Sequence, residues 1–147
     1  MTVRVPGKVN LQLSVGPLRE DGYHDIATLF QAVSIFDDVR VALAEDRDRK
    51  DLFAIMINAD HPHGIPTDKG NLAYLAAELM FNRFQLDTPI DITIEKRIPV
   101  AGGMAGGSAN AAGVIVAIDS LFSLGLSKSE MEEIGAEIGS DVPFSIA

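Results

Sequence analysis

The sequence contains no cysteine. Thiol nucleophiles, zinc–thiolate centres and disulfide staples are thereby excluded, and a reducing compartment is compatible. No apolar run reaches 18 residues, because Asp119 interrupts the best candidate, and Met1–Pro6 lacks the apolar core of a signal peptide. The chain therefore reads as soluble and cytoplasmic, with no membrane role. Positive charge is also scarce. Twelve Lys and Arg face 21 Asp and Glu, a net charge of −9. A nucleic-acid binder usually carries a basic face, so no nucleic-acid partner is expected. The same charge repels nucleotides, so any phosphate site must work through local donors. What is present is ordinary globular material: 147 residues, 47% of them apolar. That suffices for one compact domain, or one domain and part of another, with a core that needs no covalent staple.

The alternation Val9–Val15 predicts a half-buried strand. Arg19-Glu20-Asp21-Gly22 reads as a turn, Leu29–Ile35 as a strand, and Val39–Leu43 alternates again. Glu45–Asp51 is charged at every position and reads as a solvated hairpin loop, with Leu52–Ile57 pairing as the next strand of an antiparallel set. His61-Pro62-His63-Gly64 is loop. Its His-x-His spacing could ligate a metal, but no third ligand lies nearby in sequence and a plain surface loop is the simpler reading. Asn71–Phe84 is amphipathic, with Leu72, Leu75, Leu79 and Met80 on one face and Asp68 or Asn71 as cap. Ile90, Ile92 and Ile94 mark a further strand. A small-residue helix is predicted over Ala111–Leu124, and Ser127-Lys-Ser-Glu130 is a capping box opening a helix that runs to Ile138 and closes at Gly139. Met56, Met80 and Met131 read as core fillers. Strands and helices without regular alternation imply an α+β fold.

Chemistry concentrates at Pro99-Val-Ala-Gly-Gly-Met-Ala-Gly-Gly-Ser-Ala109. Four glycines, Gly102, Gly103, Gly106 and Gly107, sit between a predicted strand and a predicted helix. Glycine admits positive φ and close backbone approach, and a helix start offers unpaired N–H groups and a positive dipole end. Together they make an anion cradle that needs no basic side chain, to which Ser108 adds a hydroxyl for phosphate or Mg²⁺. The loop lacks the Gly-Lys-Ser/Thr of a Walker motif and the spacing of a dinucleotide fingerprint. The alternative is a flexible glycine connection, which an ordered helix directly behind it disfavours.

These residues resemble the phosphate motif of the GHMP kinases, Pro-x-x-x-Gly-Leu-Gly/Ser-Ser-Ser-Ala. Within that family, Pro6-Gly-Lys-Val-Asn-Leu11, Asp21-Gly-Tyr-His24 and Gly139-Ser-Asp-Val-Pro143 are similar to motifs of the branch acting on cytidyl-methylerythritol. Met104 stands for a leucine, Ala105 for a glycine and Ala109 for a serine. Alanine at 105 requires a backbone angle that an L-residue tolerates. The resemblance implies an α+β domain like ribosomal protein S5 domain 2, mostly antiparallel strands with packed helices, and ATP and Mg²⁺ as cofactors. It implies phosphorylation of a hydroxyl of the small-molecule substrate 4-diphosphocytidyl-2-C-methyl-D-erythritol in the non-mevalonate isoprenoid route. Another GHMP kinase and a catalytically silent nucleotide-binding fragment are the alternatives. Residues 1–147 are then expected to form the N-terminal domain, without the second domain of family members.

By the same resemblance Asp141 is the expected catalytic base and Lys8 the cation that holds it ionised and offsets developing charge. Their plainer readings are a turn aspartate before Pro143 and a surface lysine. Asn10, two residues along the same strand face as Lys8, is expected to bond the polyol or the loop carrying the base, or else to satisfy backbone groups. Tyr23 and His24 are expected to stack on and hydrogen-bond a cytosine, or else to form a hairpin tip. Asn71 and Lys96 resemble positions beside the adenine pocket, or else are a helix cap and an exposed strand-end lysine. Asp141 is one option as a metal ligand; no fuller set is identifiable.

Overall fold

The structure is a computed structural model of residues 1–147. It describes all of them except 19–21, 23 and 61–63, and the side chains of residues 13, 18 and 24–26 are also left out. The expectations for the Arg19–Gly22 turn, Tyr23, the His24 side chain and the two histidines at 61 and 63 lie wholly or partly outside the described residues.

One four-stranded sheet is backed by helices. In chain order the elements are β1 (Thr2–Leu18), β2 (His24–Leu43), β3 (Phe53–Asn58), α1 (Leu72–Phe84), β4 (Ile90–Glu95), α2 (Gly106–Phe122), α3 (Lys128–Ile138) and α4 (Val142–Ile146). The sheet order is β1-β2-β4-β3. β1 pairs antiparallel with β2 and β2 antiparallel with β4, whereas β3 lies parallel to β4. The α+β expectation with mostly antiparallel strands therefore stands, with one correction. The charged segment Glu45–Asp51 does not close a hairpin. β4 occupies the place beside β2, and β3 reaches the sheet on the far side of β4. The predicted strands were also too short. Val9–Val15 lies inside a 17-residue β1, and Leu29–Ile35 and Val39–Leu43 belong to one 20-residue β2. Register shifts at Pro6/Lys8, Asn10/Gln12 and Val15/Leu18 bend the long β1 while keeping it paired.

The core lies between the sheet and α1 and α2. Val39 and Val41 of β2, Ile90, Ile92 and Ile94 of β4, and Ile115 and Ile118 of α2 are fully buried. Each such side chain contributes about 1.5–3 kcal/mol relative to exposure. The small residues of α2 let it settle on the strands: a β-carbon at Gly113 would stand 3.0 Å from Val39 Cγ2 and 3.1 Å from Val5 Cγ1. On α1 the buried stripe is Ala73, Ala76, Ala77, Met80 and Phe81 rather than the expected leucines, which pack half-buried at its margin. Met56 is 62% exposed and so is not a core residue. Strand parity puts it with Ala54 and Asn58 on the open face of β3, opposite Phe53, Ile55 and Ile57.

The capping box at Ser127 and Glu130 is formed as expected. Two helix boundaries differ. α2 starts at Gly106, not Ala111, so two of the four glycines belong to its first turn. Ser140–Pro143, for which no helix was expected, leads into α4, with Pro143 in its first turn where the missing N–H is not needed. Among the described residues no helix is long and apolar enough to cross a membrane.

Candidate active site

The glycine loop leaves β4 through Lys96, Arg97 and Ile98 and enters α2 at Gly106. Along it, Ala101, Gly103 and Ala105 have positive φ (57°, 70° and 52°), alternating with residues on the ordinary side. Such alternation turns successive N–H groups toward one side and forms an anion-binding concavity. Ala105 is also the N-cap of α2 and makes no side-chain cap bond. The first helical bond runs from the Ala109 N–H to the Ala105 carbonyl, at 2.9 Å. The N–H groups of Gly106, Gly107 and Ser108 precede that bond and face out of the helix end. Ala109 itself is buried and its amide is committed, so the cradle stops at Ser108 and Ala109 serves packing. Gly102 donates to the Pro99 carbonyl at 3.4 Å, a turn that shapes the loop.

A cleft of about 310 Å³ opens above this loop. Ile57, Ile65, Pro66 and Leu72 form its apolar wall, and Pro99, Val100, Met104 and Gly107 are among its loop residues. Asn71 and Lys96 both line it, so the two positions expected beside a base do converge. Asn71 at the same time caps α1, accepting from the Ala73 N–H at 2.9 Å and donating to the Pro66 carbonyl at 2.7 Å. Lys96 is not an exposed strand-end lysine. Its side chain is nearly buried, with Nζ 2.5 Å from Asp37 Oδ2.

Lys8 and Asp141 come together. Lys8 is 5% exposed, and its Nζ lies 3.2 Å from Asp141 Oδ2 and donates to Asn10 Oδ1 at 2.6 Å. The same ammonium sits 4.1 Å from the centroid of the Phe30 ring, which in turn packs on Phe144 at 5.0 Å. A cation over an aromatic face is held electrostatically, so Phe30 fixes the ammonium from a third side. Asp141 is the N-cap of α4 but makes no cap bond, which leaves its carboxylate for Lys8. The Lys8 N–H donates to the Met104 carbonyl at 3.0 Å, joining β1 directly to the glycine loop. Asn10 is exposed, so it is not consumed in satisfying a buried backbone.

Sequence reasoning missed Phe30, Phe144, Asp37 and Asn110. For Asp37 a signal existed: it shares strand parity with Val39 and Val41, which marks it as an inward carboxylate.

Residues 71–147 match the family model described as GHMP kinases N terminal domain. This chain belongs to the GHMP kinases. It is 51% identical over 146 residues to the 4-diphosphocytidyl-2-C-methyl-D-erythritol kinase of Mycolicibacterium smegmatis (strain ATCC 700084 / mc(2)155), covering 99% of this chain and 44% of that relative. A crystal structure of 4-(cytidine 5'-diphospho)-2C-methyl-D-erythritol kinase superposes with a TM-score of 0.77 at 34% identity, covering 99% of this chain and 48% of the other. The Methanococcus jannaschii mevalonate kinase shares the fold at a TM-score of 0.68 and 18% identity. The GHMP kinase chain described here thus spans less than half the length of these relatives.

Proposed function

We propose that this chain carries the nucleotide-binding and catalytic part of an ATP-dependent kinase that phosphorylates a hydroxyl of 4-diphosphocytidyl-2-C-methyl-D-erythritol, in the cytoplasm, on the non-mevalonate route to isoprenoid precursors. The observation that carries the proposal is the Lys8–Asp141 pair, 3.2 Å apart and bonded through the Lys8 amide to the glycine loop. The choice of acceptor rests on the names of the relatives and on Asp21-Gly-Tyr-His24, with Tyr23 and His24 as the proposed cytosine contacts.

The residues present fit a polyphosphate: the helix-start amides of Gly106, Gly107 and Ser108, the alternating φ from Ala101 to Ala105, and a cleft with an apolar wall. Bound ATP supplies the γ-phosphoryl group. The loop amides hold and orient the phosphate oxygens, and the apolar wall beside Asn71 and Lys96 accommodates the base. Asp141 takes the proton of the acceptor hydroxyl at its carboxylate. Lys8 holds that carboxylate at 3.2 Å and offsets charge on the attacking oxygen, while Asn10 holds Lys8 in place and faces the polyol. Among the described residues no three acidic or histidine side chains gather as a metal site. Mg²⁺ would be held mainly by the nucleotide phosphates, and the Ser108 hydroxyl and the Asp141 carboxylate are the proposed protein oxygens that would assist it.

The test is a coupled ADP-release assay on the full-length protein with this substrate, homoserine and mevalonate. The cytidyl substrate should give the highest kcat/KM. Preference for either of the others would reassign the acceptor within the family, and no ADP from any acceptor would leave a silent nucleotide binder. The 147-residue chain alone should turn over far more slowly than the full-length protein.

A further inference from the structure

Asp37 has no part in the chemistry above, yet it is fully buried and filled with donors. Its Oδ1 accepts from the amides of Arg97 (2.6 Å) and Ile98 (2.8 Å), and its Oδ2 from Lys96 Nζ (2.5 Å) and Asn110 Nδ2 (2.8 Å). These donors flank the glycine loop. Residues 96–98 lead into it, and Asn110 stands in α2 just beyond it. One carboxylate on β2 thus ties the loop's entrance to its exit.

Stability alone explains this poorly. A buried ion pair seldom beats an apolar pair of the same volume, because desolvation offsets most of the attraction. The position of the ammonium points elsewhere. A β-carbon added at Gly106 would stand 2.6 Å from Lys96 Nζ, so the cation lies directly beneath the first residue of α2. Lys96, Gly106 and Asn110 all line the same cleft.

We propose that Asp37 is a positioning residue: it holds the Lys96 ammonium under the start of α2 and fixes the span between Ile98 and Asn110, which sets the loop amides for a polyphosphate. The proposal rests on the nucleotide reading given above. Asp37→Asn can keep an oxygen toward the Arg97 and Ile98 amides but turns an NH₂ toward Lys96 and Asn110, so it releases the cation and largely spares the backbone clamp.

The experiment is a double-mutant cycle of Asp37→Asn and Lys96→Met in the full-length protein, read as KM for ATP, KM for the acceptor, kcat and Tm. Each single variant should raise the ATP KM about tenfold with the acceptor KM unchanged, and the double variant should be no worse than either single one, as coupled residues behave. A merely structural Asp37 would lower the folded fraction and cut the apparent kcat at an unaltered ATP KM. That result, or additive effects of the two changes, overturns the proposal. Hydrogen exchange in the ligand-free protein supplies a readout independent of turnover. In Asp37→Asn the amides of residues 101–107 should exchange faster while those of α3 do not, and equal exchange throughout refutes the clamp. Failure of the parent protein to bind ATP would count against the kinase reading, and the exchange result would still decide the clamp.

Discussion

Gly135→Ala tests whether packing far from the glycine loop sets the catalytic geometry. A β-carbon at Gly135 would stand 2.9 Å from Val142 Cγ1, 3.1 Å from Ile146 Cδ1 and 3.4 Å from Val142 Cβ. Carbon atoms rest at about 3.5–4.0 Å, so α4 must retreat by roughly 0.6 Å. Val142 is fully buried and has little room to rotate away. Overpacking of this kind costs about 1–3 kcal/mol. Alanine in a helix returns about 0.8–1 kcal/mol over glycine. The net loss is about 0–2 kcal/mol, a fall in Tm of up to about 8 °C for a chain of this size. The effect on turnover should be larger. Asp141 immediately precedes Val142, and a 1 Å misplacement costs about a hundredfold, so a shift of roughly 0.6 Å should lower kcat about tenfold. The assay pairs a thermal melt with initial rates at saturating ATP and acceptor. The ATP KM should not change, because the loop is untouched. Adding Val142→Ala removes the clashing methyls and should recover kcat even as Tm falls further. Parental kcat with a lowered Tm would refute the idea that α4 sets the place of Asp141.

Gly103→Ala isolates the backbone of the cradle: φ is 70° and nothing lies within 4 Å of an added β-carbon. Denaturant unfolding should show a loss of about 1 kcal/mol, left-handed strain less the stiffer unfolded chain, together with a raised ATP KM. An unchanged KM would remove this residue from the site. Ser127→Ala should cost about 0.5–2 kcal/mol, the usual loss of an N-cap. Hydrogen bonds from the Ser127 hydroxyl and N–H hold the Glu130 carboxyl below its ordinary value of 4.5. That stabilisation is present above the unfolded value and is lost as pH falls through the folded one. The difference in Tm between parent and Ser127→Ala should therefore shrink between pH 6 and pH 3, and a difference that does not vary with pH would contradict the capping box.

Local rules carried much of this fold. The alternation at Ile90, Ile92 and Ile94, the capping box at Ser127 and the glycine run between strand and helix each describe neighbours along the chain, and each is present in the structure. Pairing across the sheet is a different matter. Nothing local to Leu52–Ile57 says that a strand some 30 residues later will insert between it and β2, so a hairpin was the natural and mistaken inference. The strand pattern also failed where β1 and β2 run on past their alternating stretches, because mutual pairing, not side-chain period, maintains them there. At the site, Lys8, Asn10 and Asp141 were legible through motif resemblance, and their convergence is geometric. Phe30 and Phe144 were not: Phe30 meets Lys8 through the β1–β2 register, which sets it opposite Asn10, and Phe144 reaches Phe30 only because α4 docks there. Ala105 adopts the left-handed angle that its replacement of a glycine requires, a conformation that costs an L-residue about 1–2 kcal/mol.

The insertion of β4 between β2 and β3 has a bearing on how the molecule is built. Until residues 90–95 arrive, β2 and β3 have no common edge, and a growing chain holds the β1–β2 pair and an unpaired β3. Joining them requires contacts of long sequence separation, which slow folding. The strand that completes the join also delivers the loop that follows it, so the cradle for phosphate takes shape only as the last seam of the sheet closes.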